Sequence, residues 1–91
     1  RNNERIMIII NSEQNAESEI ETQINNFFEG KAAIRVHNNN IQGGAAEFIY
    51  EVSDKLMAKA EKRNGKLTKH LSEISGVIST SFVRQDDEVN Q

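Results

Sequence analysis

The sequence predicts an α+β domain, a four-stranded antiparallel sheet with two helices packed on one of its faces. Three observations predict it. A block of β-branched apolar residues stands near the start, two later segments alternate apolar and polar side chains with period two, and two others space their apolar residues as a helix does. With 91 residues, 36% of them hydrophobic and 27% charged, the chain suits one unit of at most two layers covering 1–91. A chain of this size buries only about 60–65% of its unfolded surface.

The first strand is Ile6-Met7-Ile8-Ile9-Ile10, bounded by polar residues and read as a central strand covered on at least one face. From Asn15 to Phe28, the apolar residues Ile20, Ile24, Phe27 and Phe28 fall at i, i+4, i+7 and i+8, while Glu17, Glu19, Glu21 and Gln23 occupy the other faces. That is an amphipathic helix whose acidic first turns favour the positive end of its dipole. Asn15 or Ser12 is its N-cap, and Gly30 stops it.

Ala32, Ile34 and Val36 then alternate with Lys31, Ala33, Arg35 and His37, a half-buried second strand. Asn38-Asn39-Asn40 and Gly43-Gly44 tolerate positive φ and are expected to form a long, mobile hairpin tip over 38–44. Ala46, Phe48, Tyr50 and Val52 resume the alternation as the third strand. Ser53 to Arg63 fits either a short helix or a continuation of that strand. Asn64-Gly65 breaks the chain, and Leu67, His70, Leu71 and Ile74 mark the second helix, which Gly76 ends. Val77 to Val83 is the last strand, and 84–91 is expected to be a polar tail. The order strand, helix, strand, strand, helix, strand, joined by right-handed crossovers, is the ferredoxin-like βαββαβ sandwich.

Composition narrows the function. A formal charge of −3 provides no general attraction to phosphate backbones, so nucleic acid is not expected as a partner. The absence of cysteine excludes a disulfide framework, a thiolate metal site and a cysteine nucleophile. The longest strictly apolar run, Ile6 to Ile10, falls far short of the roughly 18–20 residues that cross a bilayer, so this segment is not expected to span a membrane. The chain opens Arg-Asn-Asn-Glu-Arg, and the expectation is a fragment of a larger protein that extends further toward the N-terminus.

The motifs favour plain readings. His37 and His70 sit in different elements with no spaced partner and read as surface or helix-edge histidines. Asp86, Asp87 and Glu88 lack an Asp-x-Asp-x-Asp-Gly frame and read as part of the solvated tail. Ser79, Thr80 and Ser81 have no nucleophile elbow around them, and Gly43-Gly44 has no phosphate-loop lysine. Lys55, Lys59, Lys62, Arg63, Lys66 and Lys69 form a local basic run, read as a solvated helix face. No catalytic set, metal or cofactor is therefore expected, and the domain is not expected to be an enzyme.

A helix ending in Ile74-Ser75-Gly76-Val77 and running into a strand resembles the second half of ACT-type regulatory domains. With Glu47-Phe48-Ile49-Tyr50-Glu51-Val52 before it, the chain also resembles the soluble C-terminal domains of uncharacterised bacterial membrane proteins, including those attached to MgtC-like segments. Amino-acid-binding ACT domains carry an Asp and a Gly after the first strand. Here that loop is Asn11-Ser12-Glu13-Gln14-Asn15, without glycine. The resemblance implies a cytosolic, non-catalytic appendage, tethered to the membrane through a preceding region, that pairs with a second copy or with the membrane part of its own protein.

The leading expectation is thus a regulatory or self-association domain, with a homodimer or the parent's membrane part as partner. Alternation places Arg35, His37, Ile49 and Glu51 opposite the core as the association surface, although a one-residue slip in register exchanges the two faces. An alternative is a sensor of amino acids or nucleotides that binds through Asn11, Ser12, Asn15 and Gly76, where side-chain amides and free backbone N–H groups meet. A third, by analogy of fold, is an RNA-binding module; against it, Phe48 and Tyr50 share the face assigned to the core.

Overall fold

The computed structural model describes residues 4–86. The strands are β1 (Glu4–Glu13), β2 (Ala33–Ile41), β3 (Ala45–Ser53) and β4 (Val77–Asp86). The helices are α1 (Glu17–Phe27), α2 (Asp54–Asn64) and α3 (Leu67–Ser72), with a 3-10 turn (Gln14–Ala16) leading into α1. The sheet order is β2-β3-β1-β4 and each neighbouring pair is antiparallel, the expected ferredoxin-like arrangement with one more helix. Ile6, Ile8 and Ile10 of β1 and Phe48, Tyr50 and Val52 of β3 point to one face, where they meet Ile20, Ile24 and Phe27 of α1, Met57 and Ala60 of α2, and Leu67 and Leu71 of α3. Side chains such as Ile8, Phe28 and Phe48 are fully buried there, each contributing about 1.5–3 kcal/mol through removal of apolar surface from water.

The start of α1 needs no side-chain cap, because the 3-10 turn feeds directly into it. Neither Asn15 nor Ser12 caps it; the Ser12 hydroxyl is buried and donates to the Glu13 carbonyl oxygen. At the other end Glu29 and Gly30 turn left-handed, and Arg63 and Asn64 donate to the Phe27 carbonyl oxygen at 3.1 and 3.0 Å. The end of α2 thus satisfies a carbonyl that α1 leaves open.

Ser53 to Arg63 resolves as a helix. The Ser53 hydroxyl accepts from the Leu56 amide at 3.0 Å, an N-cap that stops β3 and starts α2. Gly65, at φ +89°, separates α2 from α3, so the expected second helix is preceded by a longer one and the helical layer holds three, not two. The hairpin tip is also shorter than expected. Asn38–Asn40 belong to β2, and only Gln42–Gly44 turn the chain. The polar stretch assigned to the tail is partly strand: Arg84, Gln85 and Asp86 pair with Ile6, Arg5 and Glu4, while 87–91 lies outside the described residues.

Candidate functional site

Helices cover one face of the sheet and leave the other open. Across that open face the register forms transverse rows. Val36, Ile49, Ile9 and Ser81 make one row, and Ala33, Glu51, Met7 and Val83 the next. Polar rows flank them, Asn38, Glu47, Asn11 and Ser79 on one side and Ser53, Arg5 and Gln85 on the other. Met7, Ile9 and Ile49 are only partly covered, and Val36 and Val83 are 37% and 45% exposed. An apolar band therefore crosses the middle of the open face. Beside it Glu51 accepts from the Arg5 guanidinium and from Arg35 Nε, both at 2.7 Å. The bonds from Arg5 and then Arg35 hold the Glu51 carboxyl below its usual range.

Of the residues assigned to an association surface, Arg35, Ile49 and Glu51 lie together on this face, and His37 does not. Ile34 pairs with Tyr50 but Val36 pairs with Ile49, so Arg35 is an extra residue in β2, a β-bulge. The bulge reverses the alternation beyond it. Val36, expected inward, faces out with Ile49, and His37 turns to the helix side, where its ring stacks on Phe48. Its Nε2 lies 3.0 Å from Glu17 Oε1 and its Nδ1 3.6 Å from Glu21 Oε2, both on α1. Met7, Ile9 and Val83 were missed as members of the open face. The period-two signal for the first two was hidden inside an unbroken apolar run.

Of Asn11, Ser12, Asn15 and Gly76, only Asn15 and Gly76 come together. Asn11 points to the open face and donates to the Ser79 hydroxyl, whereas Ser12 points into the core and is fully buried. The Gly76 carbonyl oxygen accepts from the Glu13 amide at 2.8 Å. A Cβ on Gly76 would stand 3.0 Å from the Ala16 Cβ and 3.3 Å from Asn15 Oδ1, so close packing explains the glycine. Gln14 meanwhile clamps the end of the hairpin, through its amide to Gly44 and its side chain to the Asn39 and Ala45 carbonyls.

Among the described residues, concavities of several sizes flank the helical layer. One, of about 390 Å³, lies beside β4 and includes Ile6, Met57, Phe82 and Arg84. Another, of about 320 Å³, lies between α1 and β2 and is bordered by Glu21, Ile24, Asn25, Ile34, His37 and Tyr50. Burial, and then the nearby Glu21 carboxylate, push the Tyr50 hydroxyl up to about 12. Phe48 and Tyr50 are buried beneath the helices, so among the described residues the open face presents no aromatic ring on which a base could stack. His70 accepts its place at a helix edge, with Nε2 2.8 Å from the Asn64 carbonyl oxygen and its ring against Phe27. Among the described residues no helix is long and apolar enough to cross a membrane, and no group of three His, Cys, Asp or Glu could hold a metal ion.

No protein-family model and no curated protein matches this chain. Among solved structures it is similar to the solution structure of the C-terminal domain of the MgtC protein from Mycobacterium tuberculosis. The match has a TM-score of 0.56 and 8% sequence identity, and covers 98% of this chain and 95% of that one. The likeness read from the Glu47–Val52 strand and the Ile74–Val77 turn thus holds for the whole architecture, and the chain has the fold of an MgtC C-terminal domain.

Proposed function

We propose that this chain is a non-catalytic regulatory domain on the cytosolic side of a bacterial membrane protein, acting by self-association of two copies through the open sheet face. The observation that carries the reading is the apolar band of Val36, Ile49, Ile9, Met7 and Val83 on a face that no helix covers. A contiguous band on one sheet face differs from singly scattered apolar residues, which need no partner.

Charge placement favours a second copy over other occupants. Along the strands, Arg35 lies to one side of the Val36–Ile49–Ile9 row and Glu47 and Glu13 to the other. A two-fold axis parallel to that row sets each copy's basic end over the other's acidic end while Ile49 and Ile9 meet at the centre. Such an interface is self-complementary, as a two-fold contact requires. Four strands about 4.8 Å apart, with nine residues rising about 3.3 Å each, outline roughly 600 Å² per copy. That approaches the roughly 800 Å² per partner of a standard interface before side-chain relief is counted. The membrane setting rests on the likeness to the MgtC domain and on the resemblance of the Glu47–Val52 strand.

Light scattering on the 91-residue chain across a wide concentration range tests the reading. The expected result is a dimer that Ile49→Lys weakens by roughly a hundredfold or more, since the lysine would be buried without a partner. The Ile49→Lys monomer keeps its circular dichroism spectrum. A strict monomer at the highest concentration, or a dimer indifferent to Ile49→Lys, overturns the proposal.

A further inference from the structure

We propose that the cleft between α1 and β2 is a binding site for a small organic amine, an ammonium group carried on a compact apolar body. The cleft lies on the helix side of the sheet, so the proposal stands apart from pairing through the open face. Its floor is Tyr50, whose side chain is largely buried at 6% exposure. The Tyr50 hydroxyl has no hydrogen-bond partner among the described residues, yet it is not sealed off, because no buried polar atom is left unsatisfied. It opens into the 320 Å³ cleft. A tyrosine held this way is a hydrogen-bonding group awaiting a partner from outside the chain.

The rest of the lining fixes the partner's chemistry. Beside Tyr50 stand the Glu21 carboxylate and the Asn25 side chain, whose Oδ1 lies 3.4 Å from where a Cβ on Gly30 would be. Three residues with an oxygen able to accept, Glu21, Asn25 and Tyr50, thus line one cleft, and an ammonium has three N–H groups to donate. The ring nitrogens of His37, also in the lining, face Glu17 Oε1 and Glu21 Oε2 at 3.0 and 3.6 Å, which leaves the second Glu21 oxygen for a ligand. An anionic ligand would find no donor of opposite charge there and would meet the Glu21 carboxylate. The apolar wall is equally specific. Ile34 faces the cleft at 50% exposure next to the buried Ile24, leaving a hydrophobic surface that the fold itself does not cover. The volume suits a ligand at the small end of ordinary binding cavities.

The test uses n-hexylamine as probe, with n-hexanol and hexanoate as isosteric controls. Tyr50 is the only tyrosine and the chain has no tryptophan, so intrinsic fluorescence reports on the cleft floor alone. The expected result is a saturable change in emission with hexylamine, at least roughly tenfold weaker with the alcohol and the acid. Glu21→Gln, at a side chain 54% exposed, should leave the fold intact and weaken hexylamine binding about tenfold. Tyr50→Phe, followed by amide NMR titration, should weaken it several-fold. No saturable response, equal binding of hexanol, or an affinity unchanged in Glu21→Gln overturns the proposal.

Discussion

The His37 ring lies flat on the Phe48 ring, with centroids 4.3 Å apart and planes inclined by 19°. This contact joins the outer strand β2 to the centre of the core, and the His37–Glu17 bond continues it onto α1. His37→Ala should therefore lower stability by about 1–2 kcal/mol, combining the lost stack with a partly shielded polar contact. Arg35→Ala, two residues away on the open face, should cost less than about 1 kcal/mol in the monomer. Urea unfolding of both variants checks the order. Equal costs would place both side chains in similar surroundings, contrary to the bulge.

Tyr50 gives the domain a measurable alkaline limit. Its hydroxyl is raised in the folded state to about 12 from an ordinary 10.0, so between those values the folded chain keeps a proton that the unfolded chain has released. Stability from this group is fully present below the unfolded value and is lost as pH rises toward the folded one, by up to about 3 kcal/mol. Denaturant unfolding in that alkaline window should show the decline in the parent and a shallower one in Tyr50→Phe. Parallel curves would show that the hydroxyl is not desolvated.

Gly76 tests whether its turn serves packing. At φ +97°, with Ala16 Cβ 3.0 Å from the position of a Cβ, Gly76→Ala meets both backbone strain and a clash. A loss of about 2–3 kcal/mol in thermal or urea unfolding is expected. Gly43→Ala also has positive φ but open space around it, and should cost only about 1 kcal/mol.

Much of the fold was legible because its signals are local. The spacing of Ile20, Ile24 and Phe27 and the alternation of Ala46, Phe48, Tyr50 and Val52 each follow from one element's own periodicity, and those residues are buried as expected. Leu56, Met57 and Ala60 were ambiguous because few apolar positions mark α2. Its start depends on Ser53, whose capping role rests on a hydrogen bond rather than on hydrophobicity. The faces of β2 were misread past Arg35 because a bulge leaves no periodic trace: Ile34, Val36 and His37 read as one unbroken alternation. The α1–β2 cleft was not legible at all. It arises where Glu21, Asn25 and Tyr50 meet from separate elements, and Tyr50 reads in sequence as an ordinary core residue.

The irregularities of the two outermost strands have a consequence for how this sheet can grow. β2 departs from even pairing at Arg35 and again between Asn38 and Ile41, and β4 departs near Ile78. A regular border strand offers its free amides and carbonyls as a template for the next chain, the step that begins runaway fibre formation. Here the template is interrupted on both borders by residues that twist the backbone out of line. Under the face-to-face pairing proposed above, contacts between copies would move from border to face, where stacking closes after two molecules and leaves nothing for a third to extend.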